Sequence, residues 1–413
     1  MNELAYFGGE KVLNEGDYSI WPSPCQEDLC ALKKVVDGVK YHRVNNPIVV
    51  EFEEEIKKWT GFSGGRAVGT GTAAIHIGME YYAQMHQKVL TSPINWPGAV
   101  APIYLAGMKP VYVDVNLEDA CMKDSAALDE LGKGNASMCL ATHLFGNVAY
   151  LPKTRSYVAC RDNLCMFDDC SQGLGISRIL SEGSESLYTN AVAFSGNGAK
   201  HLASGELGVL LSDDGDLITY VDYVSLSSSS RNGERVFSPF TRGFNYRPNV
   251  FSCSIATSRL ATMTQQLRRR RENARTLYEK IRDLEGLKPL FGIMDDNACM
   301  YSAPFYIEMK SLGLPEQGVY RDFIVELLHA EGLPVSVWLS RPVWEYLDYE
   351  KPDCSIEDFT NAKRLLESMF CITEIAPPNS LETMQKYALA FRKVWSFVKA
   401  NTDFVIAQVT RTG

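Results

Sequence analysis

The chain has 413 residues, of which 46% are hydrophobic and 22% charged, so it can build a large core and is no disordered polymer. Its 41 Lys+Arg against 50 Asp+Glu give a formal charge of −9, which speaks against a nucleic-acid partner, because such surfaces carry a basic excess. No apolar run approaches the ~18 residues of a membrane span, and the opening MNELAYFGGEKVLNEG lacks the basic and apolar regions of a signal peptide, so a soluble, cytoplasmic protein with no membrane partner is expected.

Residues 71 to 86, GTAAIHIGMEYYAQMH, read as a helix with Thr72 near its start. Strands are expected at 110–115 (PVYVDV), 137–142 (SMCLAT), 163–168 (NLCMFD), 191–194 (AVAF) and 207–212 (LGVLLS). All are short and apolar and end in turn residues. Such runs suit a sheet buried on both faces, as in parallel α/β architecture. A long helical segment follows over roughly 249–284, where Phe251, Ile255, Leu260, Met263, Leu267, Ala274, Leu277 and Ile281 recur at helical steps, with one slip of five and one gap of seven. It carries Arg268 to Arg271, readable either as an anion patch or as a solvated helix face.

The remainder changes character. Strand-like 302–309 and 333–339 flank a helix at 321–332, and helical patterns return at 356–369 and 380–399. The expected division is a large α/β domain over 1–284 and a smaller α+β domain over 285–413, with the N-terminal segment free to pack on the small domain. The cleft between the two is where a ligand is expected. The eleven cysteines include no C-x2-C pair, and Cys160, Cys165 and Cys170 form the nearest grouping; they read as buried reduced thiols, with metal ligation the alternative.

Four features in the large domain carry chemistry. Gly69-Thr70-Gly71-Thr72 opens a helix, where free N–H groups and the helix dipole favour an anion, although the same residues would serve as a plain helix cap. Asp168-Asp169-Cys170-Ser171-Gln172 follows a strand, so a carboxylate there points into the ligand crevice of a parallel sheet. Ser195-Gly196-Asn197-Gly198-Ala199-Lys200 follows the next strand and supplies a hydroxyl and an amine, and Gly243-Phe244-Asn245-Tyr246-Arg247 precedes the long helix. An anion site, an acid about a hundred residues later and a lysine 31 residues beyond the acid are the parts that pyridoxal 5′-phosphate (PLP) requires. No G-x-G-x-x-G follows the first strand and no G-x4-G-K-[ST] occurs, which sets a doubly wound nucleotide binder behind this reading.

In order and spacing these motifs resemble the DegT/DnrJ/EryC1/StrS family of PLP-dependent aminotransferases, which act mainly on keto-sugars and cyclitols. The match also takes in YFGGEKVL (6–13), FEEEIKKWTG (52–61), AGMKPV (106–111) and HLFG (143–146). The resemblance implies an α/β, fold-type I aminotransferase fold with a mostly parallel central sheet, a homodimer, and PLP alternating with its pyridoxamine form. It also implies glutamate or glutamine as donor and a keto-sugar or keto-cyclitol as acceptor, in amino-sugar or antibiotic-type biosynthesis. On matching positions, Lys200 is the Schiff-base lysine and Asp169, not Asp168, the partner of the ring nitrogen. Gln172 reaches the ring oxygen, Trp96 stacks on the ring, and Gly71, Thr72 and Ser195 hold the phosphate. Asn245 reaches the phosphate of the other subunit, and His143 lies near the cofactor. No metal is implied. Gly205-Glu206-Leu207-Gly208 departs from the family's Gly-Glu-Gly-Gly and borders the pocket. Two alternatives stand beside this: a sugar dehydratase on the same fold, whose members carry histidine in place of Lys200, and a regulatory homologue without turnover. Tyr41, His42, Arg43, Trp338 and Arg341 are candidate substrate contacts.

Overall fold

The computed structural model describes residues 4–182, 187–226, 228–231, 234–237, 243–292, 295–349 and 351–412. Ser227, within the run SLSSSS at 225–230, lies outside them. A seven-stranded sheet forms the larger layer. Its strands are β1 (Gly64–Val68), β2 (Lys88–Thr91), β3 (Lys109–Tyr112), β4 (Met138–Thr142), β5 (Cys165–Asp169), β6 (Ala191–Ser195) and β7 (Gly208–Ser212), in the order β1-β7-β6-β5-β4-β2-β3. The neighbours from β3 through β6 pair in parallel, which makes the sheet mostly parallel, as expected.

One strand departs from the parallel expectation. The run at 207–212 becomes β7, which pairs antiparallel with both β6 and β1. No crossover helix separates β6 from β7, and a short connection can only return the chain antiparallel. The connection is therefore a hairpin loop that leaves β6 at Ser195, carries Lys200 and re-enters opposite it at Gly208.

Helix Gly71–Tyr82 packs across β6 and β7, and its small residues let it lie close. A Cβ on Gly78 would come within 2.3 Å of the Phe167 ring. The helical segment expected over 249–284 is two helices, Val250–Leu260 and Met263–Ile281, broken at Ala261–Thr262. The break falls directly after the five-residue slip from Ile255 to Leu260, where one apolar stripe cannot continue. The four arginines of the second helix do not share a face, because successive helical residues step about 100°. Arg268 and Arg269 meet Glu272 at the surface, whereas Arg270 is 1% exposed.

A hairpin of β8 (Ser228–Arg231) and β9 (Glu234–Phe237) lies between the two sheets in sequence. The second sheet is β10 (Leu287–Pro289), β11 (Ala303–Ile307), β12 (Val335–Ser336) and β13 (Met369–Ile372), antiparallel throughout in the order β10-β11-β13-β12. Helices Gly318–Ala330 and Leu381–Ala400 pack beside it. Only Val335–Ser336 of the expected 333–339 strand is paired, and the helix expected over 356–369 ends at Ser368, where β13 begins. The N-terminal residues pack on this layer: Leu4 and Leu13 join its apolar cluster, and the buried Glu331 carboxylate accepts from the Ala5 and Val12 N–H groups. All eleven cysteines are free, and no group of His, Cys, Asp and Glu among the described residues could hold a metal ion. Among those residues no helix is long and apolar enough to cross a membrane.

Candidate active site

A cavity of about 510 Å³ opens at the C-terminal ends of β4, β5 and β6. Ligands of open α/β sheets bind at that edge, and the volume suits a small-molecule site. Seven of the eight residues singled out for the cofactor line it: Gly71, Thr72, Trp96, Asp169, Gln172, Ser195 and Lys200.

The two aspartates at the end of β5 point to opposite faces, as neighbours on a strand must. Asp168 is turned away from the cavity. Its Oδ2 accepts from Arg155 Nη1 at 2.9 Å and its Oδ1 from Arg155 Nη2 at 2.6 Å, with His143 Nε2 at 2.9 Å. His143 Nδ1 accepts the Ala149 N–H at 3.0 Å, so the ring proton lies on Nε2 and is donated to Asp168. Burial pushes the Asp168 carboxyl up, but the Arg155 guanidinium and the His143 bond outweigh it and hold the group well below the usual carboxylate range. Asp169 lines the cavity, accepts the Ser171 N–H at 2.9 Å, and is raised by burial against the pull of Ser171, Lys200 and His143. A cation arriving beside it would favour its charged form.

Lys200 enters from the β6–β7 loop. Its amine is lowered to about 8, because burial disfavours the ammonium more than Asp169 favours it. A lysine with this pKa has a usable fraction of neutral, nucleophilic amine near pH 7. Its Nζ lies 4.4 Å from the centre of the Tyr301 ring.

The other end of the cavity is built for an anion. Thr70 is the helix cap, its hydroxyl accepting the Ala73 N–H at 3.0 Å. The cap function expected as an alternative thus falls to Thr70, while Gly71 and Thr72 line the cavity with Ser171, Ser195 and Asn197. A Cβ on Gly71 would lie 2.8 Å from Ser195 Cβ and 3.3 Å from Ser171 Oγ, so only glycine leaves this floor open. At the rim, Trp96 is 55% exposed and its ring lies 6.2 Å from that of Trp338. Asn95 fixes the turn beneath it, accepting the Trp96 N–H and donating to Thr142. Gln172 Oε1 accepts the Phe145 N–H at 2.6 Å, which leaves its amide NH2 as the donor end of a cavity-lining side chain.

Other expected contacts lie elsewhere. Asn245 is exposed, has φ of 57°, accepts from Arg247 Nε and is absent from the cavity wall of its own chain. His143 is fully buried behind β5 in the Asp168 cluster. Tyr41 stacks on Phe251, and Arg43 pairs with Glu53 and Asp222, so both have local partners; Arg341 and His42 are exposed and lie outside the cavity wall. Of the five candidate substrate contacts, Trp338 alone reaches the cavity. Tyr301 and Trp21 went unrecognised in the sequence. They arrive from distant segments, whereas Glu206 lines the cavity from the Gly-Glu-Leu-Gly turn that the sequence placed at the pocket border.

The sequence profile of the DegT/DnrJ/EryC1/StrS aminotransferase family matches residues 25–386. An L-glutamine:2-deoxy-scyllo-inosose aminotransferase of Streptomyces paromomycinus is 24% identical over 302 residues, 69% of each chain. Among solved structures, DesI, determined with its TDP-sugar product, superposes with a TM-score of 0.79 at 19% identity over 97% of this chain and 98% of its own. The GDP-4-keto-6-deoxy-D-mannose-3-dehydratase of E. coli, solved with bound hydrated PLP, gives 0.74 at 17% identity over 90% and 98%. The residues present fit PLP: a glycine-floored anion end, a buried carboxylate at the sheet edge, an amide donor and an aromatic rim surround one amine of lowered pKa. The chain belongs to the DegT/DnrJ/EryC1/StrS aminotransferase family, whose chemistry runs on PLP.

Proposed function

We propose that this protein transfers the amino group of L-glutamine or L-glutamate to a keto-sugar or keto-cyclitol, in amino-sugar or antibiotic-type biosynthesis, using Lys200 and Asp169 as its catalytic residues. The observation that carries the reading is the meeting of one buried amine and one buried carboxylate in a single cavity, with the neighbouring Asp168 locked away by Arg155.

Bound here, PLP supplies an electron sink for the bond broken at the donor's α-carbon. Asp169 would hold the proton on the ring nitrogen by its charge, and burial strengthens that hold. Gln172 would donate its NH2 to the ring oxygen, and Trp96 would cover the ring face. Gly71, Thr72 and Ser195 would hold the phosphate with N–H and hydroxyl groups at the helix N-terminus. Lys200 Nζ would take the proton from the donor's α-carbon and deliver it to the carbon that receives the nitrogen, a task suited to an amine near neutral pKa.

The assembly in this reading is a homodimer with two composite sites, in which Asn245 reaches the phosphate bound by the partner subunit. Its exposure, away from its own cavity, supports that placement. Two-fold symmetry makes the exchange reciprocal. The eleven unpaired thiols suit a reducing compartment such as the cytoplasm.

Two experiments test the reading. Borohydride reduction of the PLP-loaded protein should place the cofactor on the tryptic peptide of Lys200 and nowhere in Lys200→Ala; label on another peptide refutes the site. Mixing Lys200→Ala with Asn245→Ala chains should restore about half of the wild-type activity per heterodimer, since one site is then intact and the other doubly defective. An active monomer in sedimentation refutes the composite site.

A further inference from the structure

Lys200 is gripped at both ends by residues that come from far apart in the chain. The Trp21 indole N–H donates to the Lys200 carbonyl at 2.9 Å. At the other end, the Tyr301 ring lies 4.4 Å from Nζ. Arg270 joins the two grips: its guanidinium stacks 5.0 Å from the Trp21 ring, and its Nη1 donates to the carbonyls of Tyr301 at 3.0 Å and Met300 at 3.3 Å. Met300 adopts φ of 47°, unusual for a residue with a side chain, and Tyr301 N–H is tied to the Phe145 carbonyl at 2.9 Å. A strained residue persists only where its surroundings over-determine it. Arg270 itself is 1% exposed, and its Nε and Nη2 have no hydrogen-bond partner among the described residues.

We propose that Tyr301 is a positioning residue for Lys200, whose aromatic face carries the ammonium whenever the amine is free, and that Arg270 and Trp21 lock ring and lysine backbone into one bracket. This rests on Lys200 being the working amine. The physical reason is a conflict of duties. Once the amino group sits on the cofactor, Lys200 is loose and must keep its place as a proton carrier. Asp169 is engaged at the ring nitrogen, and a second carboxylate at Nζ would hold the proton too firmly. An aromatic face attracts an ammonium without offering a lone pair that takes its proton.

The charged and titratable groups around this amine come from several elements. Asp169 faces it from the end of β5, and Glu206 lines the same cavity, tied to Asn197. His201, next in the chain, is pushed well down by burial and by Arg270 and Lys200, and stays neutral. Arg270 lies behind Tyr301, and Glu374 accepts the Trp21 backbone N–H at 2.8 Å. None of these changes in the variants below except Arg270.

The test uses full-length protein loaded with pyridoxamine 5′-phosphate, the form that leaves Lys200 free. The pH midpoint for reaction of Lys200 with an amine-directed reagent is read by mass spectrometry. Tyr301→Phe keeps the ring and should keep the wild-type midpoint. Tyr301→Leu should lower it by ~0.5–1 unit, the size of a desolvated cation–π contact. Arg270→Lys keeps the charge but loses the fork on the Met300 and Tyr301 carbonyls, and should move it in the same direction. An unchanged or raised midpoint in Tyr301→Leu overturns the proposal, as does an equal shift in the Phe and Leu variants, which would assign the effect to the hydroxyl. Where Tyr301→Leu fails to fold, Tyr301→Met is read by the same criteria. Borohydride mapping of the PLP-loaded wild type separates the outcomes, because it reports on Lys200 whatever Tyr301 does.

Discussion

Exchanging each of the adjacent aspartates for asparagine should produce two different injuries. Asp168, Arg155 and His143 are 0%, 2% and 0% exposed, and the carboxylate answers one guanidinium twice and one imidazole N–H once. Asp168→Asn removes the charge and strands the Arg155 cation in the interior. Breaking one partner of a buried pair costs about 3–5 kcal/mol. In a chain of this length that corresponds to a fall of roughly 3–6 °C in melting temperature. Asp169→Asn retains an oxygen for the Ser171 N–H, so it should melt close to wild type. It loses the charge facing the ring nitrogen; a charge-assisted hydrogen bond worth up to ~3 kcal/mol translates to a loss in kcat on the order of 100-fold. Thermal melts and turnover of both variants make the assay. If Asp168→Asn melts normally and is inactive while Asp169→Asn turns over normally, the roles are off by one residue and the reasoning fails.

The same cluster sets an acid limit: the Asp168 carboxyl lies below its unfolded value in the folded state, so its contribution is full above about pH 4 and is lost as pH falls below that. Acid titration of stability should therefore be flatter in Asp168→Asn than in wild type. Because burial lowers Lys200 to about 8, the rate at which apoprotein takes up PLP should rise about tenfold per pH unit below 8 and level off above it; a rate still climbing at pH 10 contradicts this. Gly71→Ala brings a Cβ to 2.8 Å from Ser195 Cβ and should weaken PLP binding at least tenfold by dialysis equilibrium, with little change in fold by circular dichroism. Trp338→Ala should raise KM for the keto acceptor more than for the amino donor, since the ring stands at the rim against Trp96; equal effects on both would remove it from the acceptor site.

Local chemistry was legible wherever one segment carries it alone. The strand ends, the paired acids and the Lys200 loop could be read because each is a short apolar run followed by polar groups, and those ends converge at one sheet edge. The choice of Asp169 followed from the family register, and the geometry supplies a separate reason in Arg155, which lies 13 residues upstream and could not be paired with Asp168 from sequence. Helices Gln26–Gly38 and Pro47–Thr60 escaped notice because runs of charge interrupt their apolar stripes, and strand β1, GGRAV, because two glycines and an arginine hide its β pattern. The strand β13 was left unassigned beyond Met369, the last residue of the expected helix, since a four-residue apolar run is too short to show a period of its own. Trp21 and Tyr301 were invisible for a different reason: they meet Lys200 only through tertiary folding, across separations that no periodicity encodes.

Amino transfer itself is met head on by one measurement. PLP-loaded protein is given L-glutamine or L-glutamate labelled with 15N at the α-amino group, together with a panel of keto-cyclitols and keto-sugars, and products are read by mass spectrometry. One equivalent of keto acid is expected for each 15N-labelled amino product, and neither from Lys200→Ala. Loss of water from the acceptor without nitrogen incorporation would contradict amino transfer and point to a dehydratase.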